Sequence, residues 1–285
     1  MTTAPLIVNL APTGMVPMPR DNQALPVTPE AIARDAAACR ALGASIIHLH
    51  ARDDQGRPTW RPERYREVIT AVRYAAPDLV VCVSTSGRTF GAFEQRAAVL
   101  DLEGEARPEM ASLTLGSMNF PTQASVNEPA MIQALATRMQ ERGIVPELEV
   151  FDLGMLDYAH HLVERRVLRP PLYVNLLLGS RGTLAATPLN LVLAAQRVPA
   201  GATWAATGIG RFQFPVNAMA VTMGGHVRVG LEDGLYMDAA KSEPASNVAL
   251  VERLVRLGRA AGREPATPDQ ARAIIGLPPR STAGA

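Results

Sequence analysis

Residues 45–53 read Ser45-Ile46-Ile47-His48-Leu49-His50-Ala51-Arg52-Asp53, an apolar run that ends in two imidazoles, a guanidinium and a carboxylate. As a β-strand the run alternates, so His48, His50 and Arg52 project to one face and Ile47 and Leu49 to the other. Two histidines on one face can share a metal ion, although a His-x-His pair by itself is equally read as two ordinary core or surface histidines. Its place in the chain separates the readings.

Upstream, residues 6–10 (Leu-Ile-Val-Asn-Leu) form a short apolar strand that runs into Ala11-Pro12-Thr13-Gly14, and a proline-rich loop continues through Pro26. Thr28-Pro29-Glu30 then supplies an N-cap, a proline in the first turn and an acid beside the positive end of the helix dipole, and Gly43 stops that helix after Leu42. The His48/His50 strand is therefore the second strand of the chain. Downstream, Arg61-Pro62-Glu63 opens a helix with Tyr65, Val68, Ile69 and Val72 on one face, and Pro77 ends it. Residues 79–83 form a third apolar strand, which passes into Ser84-Thr85-Ser86-Gly87. The alternation continues with a helix over 92–102, a strand over 110–115, a helix over 129–142, a strand over 148–151 and a helix from about 155 to 168. A strand over 172–178, a helix begun by Thr187-Pro188, a strand over 202–207, a short helix over 215–223, a strand over 227–231 and a helix over 246–261 complete it.

Eight strands alternating with eight helices, at a repeat of roughly 30 residues, are the pattern of a (β/α)8 TIM barrel, in a single domain spanning 1–285. A further C-terminal helix, capped by Thr267-Pro268-Asp269-Gln270 and carrying Ala271, Ile274 and Ile275, is expected to pack on the outside. A doubly wound open sheet is the other α/β architecture, but no Gly-x-Gly-x-x-Gly follows the first strand, and Gly208-Ile209-Gly210 is too short to bind a dinucleotide.

Composition narrows the function. The 285 residues are 47% hydrophobic and carry 28 basic against 27 acidic side chains. There is no basic run to track a phosphate backbone, so no nucleic-acid partner is expected. No apolar run approaches the roughly 20 residues of a membrane-spanning helix. The N-terminal residues lack the charged and apolar regions of a signal peptide, and a cytoplasmic location is expected. Cys39 in a helical pattern and Cys82 in a strand pattern read as buried thiols.

In a (β/α)8 barrel the chemistry gathers at the carboxyl ends of the strands. The unusual polar residues of this chain fall there: Thr13 after strand one, His48 and His50 on strand two, Ser84 and Ser86 after strand three, Thr114 and Ser117 after strand four, Glu149 on strand five, and Arg228, Glu232 and Asp233 on and after strand eight. Glu147 shares the parity of Glu149, so a shift of one pair is open. Two histidines and a carboxylate with an open position suit catalytic zinc, which makes Glu232 the natural third ligand, and manganese or iron can use the same set. His160 and His161 belong to an outer helix, and His226, at the amino end of strand eight, reads as structural.

The ordered motifs Ala11-Pro12-Thr13-Gly14, His48-Leu49-His50-Ala51-Arg52, Pro108-Glu109-Met110-Ala111-Ser112, Gly208-Ile209-Gly210-Arg211-Phe212 and Arg228-Val229-Gly230-Leu231-Glu232-Asp233 resemble the β-keto acid cleavage enzyme family, whose founding member acts on 3-keto-5-aminohexanoate. The resemblance runs from Asn9 to Leu277. It implies a zinc-dependent condensation of a β-keto acid with acetyl-CoA, giving acetoacetate and a new acyl-CoA, in a homotetramer. It also implies that His48, His50 and Glu232 hold the metal and that Asp233, poised by Arg228, is the base. Glu149 and Ser84 join the catalytic set on the same footing, with Thr114, Ser86 and Thr13 at the substrate. Two departures bear on the substrate: Ser84-Thr85-Ser86-Gly87-Arg88 stands where many members are glycine-rich, and the first loop carries Met15-Val16-Pro17-Met18 instead of a polar set. Arg88 reads as a seat for an anionic substrate group, a seat for a CoA phosphate, or an exposed arginine, and the charge of the substrate tail stays open. Two other functions compete: a metal hydrolase of the amidohydrolase type, which would want further histidines on strands five and six, and a non-catalytic barrel that binds metal or acyl-CoA.

Overall fold

Short runs of Val, Ile and Leu bounded by Gly, Pro and Ser form eight parallel strands in a computed structural model that describes residues 4–280. The terminal residues 1–3, on which the expected absence of a leader partly rests, and 281–285 lie outside the described residues. The strands are β1 (Val8–Leu10), β2 (Ile46–Leu49), β3 (Val80–Val83), β4 (Met110–Thr114), β5 (Val145–Val150), β6 (Tyr173–Leu178), β7 (Thr203–Gly208) and β8 (His226–Val229). Each pairs with its neighbours in sequence, and β1 pairs with both β2 and β8, so the sheet closes into a barrel. The expected (β/α)8 architecture is what the chain adopts.

The principal helices around it are α1 (Pro29–Leu42), α2 (Pro62–Ala75), α3 (Phe93–Ala97), α4 (Pro129–Glu141), α5 (Leu153–Glu164), α6 (Pro188–Gln196), α7 (Gln213–Thr222), α8 (Asn247–Ala260) and α9 (Pro268–Ile275). Local chemistry sets their ends. The Thr28 hydroxyl accepts from the Ala31 amide at 3.2 Å to start α1. At α5 the Asp152 carboxylate accepts from the Met155 amide, so that helix begins two residues before the expected 155 and stops at Glu164, short of Leu168. The helix expected over 92–102 is only α3 followed by a 3₁₀ turn over Ala98–Asp101: its Ala92 N-cap offers no side-chain acceptor, and Arg96 is drawn inward to the Thr85 carbonyl and the Asn127 amide oxygen.

Two departures matter for the site. Strand β8 stops at Val229, not Leu231, because Gly230 adopts φ 153° and packs so closely on the Ala11 carbonyl that a Cβ there would collide with it. Strand β5 starts at Val145 and includes Pro146, so Glu147 and Glu149 lie one above the other on its inner face.

Helix α9 is the larger correction. It does not ride on the outer helices but closes the amino-terminal end of the barrel, where Ala271 and Ile275 join Ile7, Ile46, Val80, Met110 and Tyr173 in one buried cluster. Arg272, 1% exposed, anchors it through Glu109 (Nε to Oε1 2.7 Å) and the Asp78 carbonyl (2.9 Å), and Arg73 holds the other oxygen of Glu109 at 2.7 Å. The barrel thus has an apolar, plugged bottom and a polar top. No described helix is long and apolar enough to cross a membrane.

His226 is structural, as expected. Its Nδ1 accepts from the Ile7 amide at 3.0 Å, tying β8 to β1, and burial, reinforced by the Arg263 charge, lowers the imidazole to about 4. The unfolded chain takes up a proton at this residue below its ordinary value of about 6.5, whereas the folded chain resists until about 4. The contribution of His226 is therefore complete above pH 6.5 and is lost as the pH falls towards 4. His226→Gln, which keeps an acceptor for Ile7, is expected to flatten the decline of urea-unfolding free energy between pH 6.5 and 4.5, and equal declines in both proteins would contradict this assignment.

Candidate active site

The register of β2, β3 and β5 brings the ionisable residues together. His48, the third residue of β2, lies opposite Cys82 of β3, and His50 follows one step past the strand end. Both imidazoles are buried, their Nε2 atoms 3.2 Å apart and their rings tilted by 49°. The Nδ1 of His48 meets the Oε2 of Glu147 at 2.7 Å, which orients the ring and leaves its Nε2 to face His50. Glu147 is fully buried: Asn9 donates to its Oε1 at 2.7 Å, Asn175 at 3.3 Å, and Cys82 approaches its Oε2 at 3.4 Å. Burial pushes this carboxyl up, but the facing His48 and Arg228 outweigh it and hold the group down at about 2.

Glu232 reaches the two histidines from the turn after β8. Its Oε1 stands 3.2 Å from His50 Nε2 and 2.7 Å from Arg228 Nη2, and its Oε2 is buried without a hydrogen-bond partner. Parity along β8 does not explain this position, because the strand has already ended. The turn at Gly230 folds Glu232 and Asp233 back over Arg228, and Gly14 (φ 66°) lets the first loop pass so close to Glu232 that a Cβ would strike its side chain. Asp233 takes the other edge of the guanidinium, with Nε to Oδ2 at 2.9 Å. Glu149 accepts from Arg228 Nη1 at 3.4 Å and from the Thr114 hydroxyl at 2.7 Å. Burial raises the carboxyls of both Asp233 and Glu149 against the pull of Arg228.

These groups form the floor of a cavity of roughly 390 Å3 at the carboxyl ends of the strands. His50, Ser84, Ser86, Thr114, Glu149, Arg228, Glu232 and Asp233 line it, and His48 stands behind His50. Met15, Met118, Phe120, Phe151 and Leu177 add apolar wall, part of it from a short ribbon that pairs Met118–Asn119 with Ala124–Ser125 and was not foreseen in the sequence. Arg52, expected beside the histidines, instead donates to the carbonyls of Gly14, Pro17 and Gly56 and holds the first loop in place.

Most of the expected site residues therefore converge, with one exception. Thr13 is fully buried and donates its hydroxyl to the Pro26 carbonyl at 2.9 Å, so it is absent from the cavity lining, to which the first loop contributes Met15, Val16 and Pro17 instead. The choice between Glu147 and Glu149 resolves by depth: Glu147 supports His48 from beneath, and Glu149 faces the cavity. Asn9, interrupting the apolar run of β1, was the legible sign of a polar barrel interior and was missed. Arg88 is half-buried in the cavity wall, not exposed. His160 and His161 are exposed on α5, outside the site.

The ligand atoms of His48, His50 and Glu232 all lie within 4.8 Å of one another, a donor set of two imidazoles and one carboxylate. A divalent cation fits it on two counts. It would partner the orphaned Glu232 Oε2, and it would balance four carboxylates gathered on a single guanidinium. Thr13→Val, by contrast, is expected to lower unfolding free energy by about 1 kcal/mol with no change in ligand affinity at the cavity; a loss of affinity would return Thr13 to the site.

Comparison with known proteins identifies the family. The family model for the beta-keto acid cleavage enzyme matches residues 5–277. A 3-keto-5-aminohexanoate cleavage enzyme from Fusobacterium nucleatum is 42% identical over 277 residues, which is 95% of this chain and 98% of the relative. A 3-oxoadipate:acetyl-CoA acetyltransferase from Cupriavidus necator is 37% identical over 279 residues, covering 97% and 96%. Among solved structures, ObcA in its apo form superposes with a TM-score of 0.80 at 23% identity, over 89% of this chain and 66% of that one, which supports the fold alone. The chain belongs to the β-keto acid cleavage enzyme family.

Proposed function

We propose that this protein is a zinc-dependent acyltransferase that cleaves a β-keto acid at its active site on the carboxyl ends of the barrel strands. The coarser activity follows from the family: a β-keto acid is cleaved with transfer to and from coenzyme A, giving acetoacetate and a new acyl-CoA. The observation that carries the reading is the convergence of His48, His50 and Glu232, with the unpartnered Glu232 Oε2, beside an Asp233 already held on Arg228.

His48, His50 and Glu232 would hold a divalent ion, which would supply Lewis-acid stabilisation of the negative charge developing on the substrate. Asp233 removes a C2 proton. Its carboxyl, raised by burial and fixed by Arg228, is a stronger base than an exposed aspartate. The C2 carbanion attacks the thioester carbonyl of acetyl-CoA, forming a C–C bond and releasing CoA thiolate. The thiolate then attacks the original keto carbon, the C2–C3 bond breaks, acetoacetate leaves with the proton returned from Asp233, and the remainder departs as acyl-CoA. The hydroxyl of Ser84, in the cavity wall, is placed to donate to the carboxylate or thioester oxygens, and Thr114, whose own proton goes to Glu149, lines the same wall. Glu149 holds Thr114 and Arg228 in position.

The hydrolase alternative lacks its ligands, since the inner faces of β5 and β6 offer Glu149 and an Asn175 whose amide is spent on Glu147. A non-catalytic barrel does not account for an acid poised at Asp233. The free, buried thiols of Cys39 and Cys82 agree with a cytoplasmic location, and the family resemblance carries the homotetramer.

Zinc-loaded protein supplied with acetyl-CoA and a panel of β-keto acids is expected to form acetoacetate, and His48→Ala to form none. No acetoacetate from the wild type with any acid would overturn the reading. Glu147→Gln, which keeps an acceptor for His48 but removes the charge, is expected to weaken metal binding roughly 10- to 100-fold in a chelator competition, whereas an unchanged affinity would contradict the role given to Glu147.

A further inference from the structure

Resting on that reading of the reaction, we propose that the substrate carries a second carboxylate at the far end of its acyl chain and that Arg88 is the residue that selects it. The guanidinium of Arg88 forms part of the cavity wall, with its Cζ 3.4 Å from the centroid of the Phe120 ring. Stacking fixes the plane of the guanidinium and leaves its edge, with its forked donors, to meet a planar oxyanion.

No side-chain nitrogen of Arg88 has a hydrogen-bond or ion-pair partner among the described residues. This sets it apart from the other arginines around the cavity. Arg228 is held by carboxylates, Arg52 by three carbonyls, and Arg96 by the Thr85 carbonyl and the Asn127 amide. A half-buried guanidinium with uncommitted donors gains most from an anion brought by the ligand.

The distribution of charge points the same way. The carboxylates that line the cavity are Glu149, Glu232 and Asp233, all bound to Arg228 at the floor. Above the floor the wall offers no acid to receive an ammonium group, and Met15, Met118 and Leu177 suit a methylene spacer. Arg88 lines the same cavity as Glu149 and Glu232, so a ligand with one end at the floor shares its space with the stacked guanidinium. Lys241, by contrast, is exposed at the cavity mouth.

An oxyanion at Arg88 could come from the keto acid or from a phosphate of CoA, and kinetics separates the two. Three β-keto acids of equal chain length, ending in carboxylate, methyl or ammonium, are compared in wild type, Arg88→Gln and Arg88→Lys. The wild type is expected to favour the carboxylate, and Arg88→Gln to cut the ratio of kcat/KM for carboxylate over methyl by roughly 10- to 100-fold. Arg88→Lys should restore part of that ratio. A wild-type preference for ammonium or methyl would overturn the proposal, and so would a rise confined to the KM for acetyl-CoA. Calorimetric binding of a plain dicarboxylate, against a monocarboxylate of the same length, needs no turnover. Loss of the dicarboxylate preference in Arg88→Gln supports the anion seat even if no acid yields acetoacetate, in which case the reaction assignment alone fails. Equal binding by both proteins overturns the seat.

Discussion

One buried guanidinium organises the top of this barrel. Arg228 is 1% exposed and has carboxylate oxygens of Glu232, Asp233 and Glu149 within 3.4 Å, with Glu147 at 4.0 Å. A buried charge is tolerated only when it is paired and hydrogen-bonded, and here the pairing does more than offset desolvation. Asp233 meets Nε and Nη2, Glu232 meets Nη2 and Glu149 meets Nη1, so Arg228 sets the relative positions of Glu232, Asp233 and the acid that holds Thr114. Removing the guanidinium would leave mutually repelling carboxylates with no common anchor.

The division of the barrel into two ends makes this arrangement affordable. The lower interior is filled by Ile7, Ile46, Val80, Met110 and Tyr173 and sealed by Ala271 and Ile275 of α9, where apolar burial contributes on the order of 25 cal/mol per Å2. The upper interior gives up that contribution to hold Asn9, His48, Glu147, Asn175 and Arg228. Polar groups at this depth need partners, and most have them: Asn9 and Asn175 both spend an amide on Glu147, and Glu147 in turn orients His48. The amide oxygens of Asn9 and Asn175 are left without a partner, as is Glu232 Oε2, but the Glu232 atom belongs to a carboxylate beside the histidines. At the cavity wall, the stacked Arg88 adds charge where the rest of the lining is mainly apolar.

Much of this was legible in the chain. Alternation in residues 45–53 placed His48 and His50 on one face, the repeat of strands and helices gave the closed barrel, and chain order put Glu232 and Asp233 next to the histidines across the β8–β1–β2 seam. The shared parity of Glu147 and Glu149 put both on one face of their strand and left open which of them serves the site. What stayed hidden involved depth or long-range contact. Periodicity says which face a residue occupies but not how far along the barrel axis it lies, so the supporting role of Glu147 and the cavity-facing role of Glu149 were indistinguishable. An amphipathic helix can bury its apolar face against any surface, so the pattern of Ala271, Ile274 and Ile275 was compatible with the outer ring as well as with the barrel floor.

The sequence by itself determined the elements, their order and the residue types available at the strand ends, because those depend on local spacing and on the two periods of helix and strand. Only the tertiary structure decided which of those residues touch. Thr13 lost its place because a neighbouring carbonyl claimed its hydroxyl, Arg88 gained one because Phe120 from a later loop came to lie against it, and the His48-Leu49-His50 strand became a candidate metal site because Gly230 turned Glu232 back towards it. Those outcomes rest on contacts between residues far apart in the chain, which no local pattern encodes.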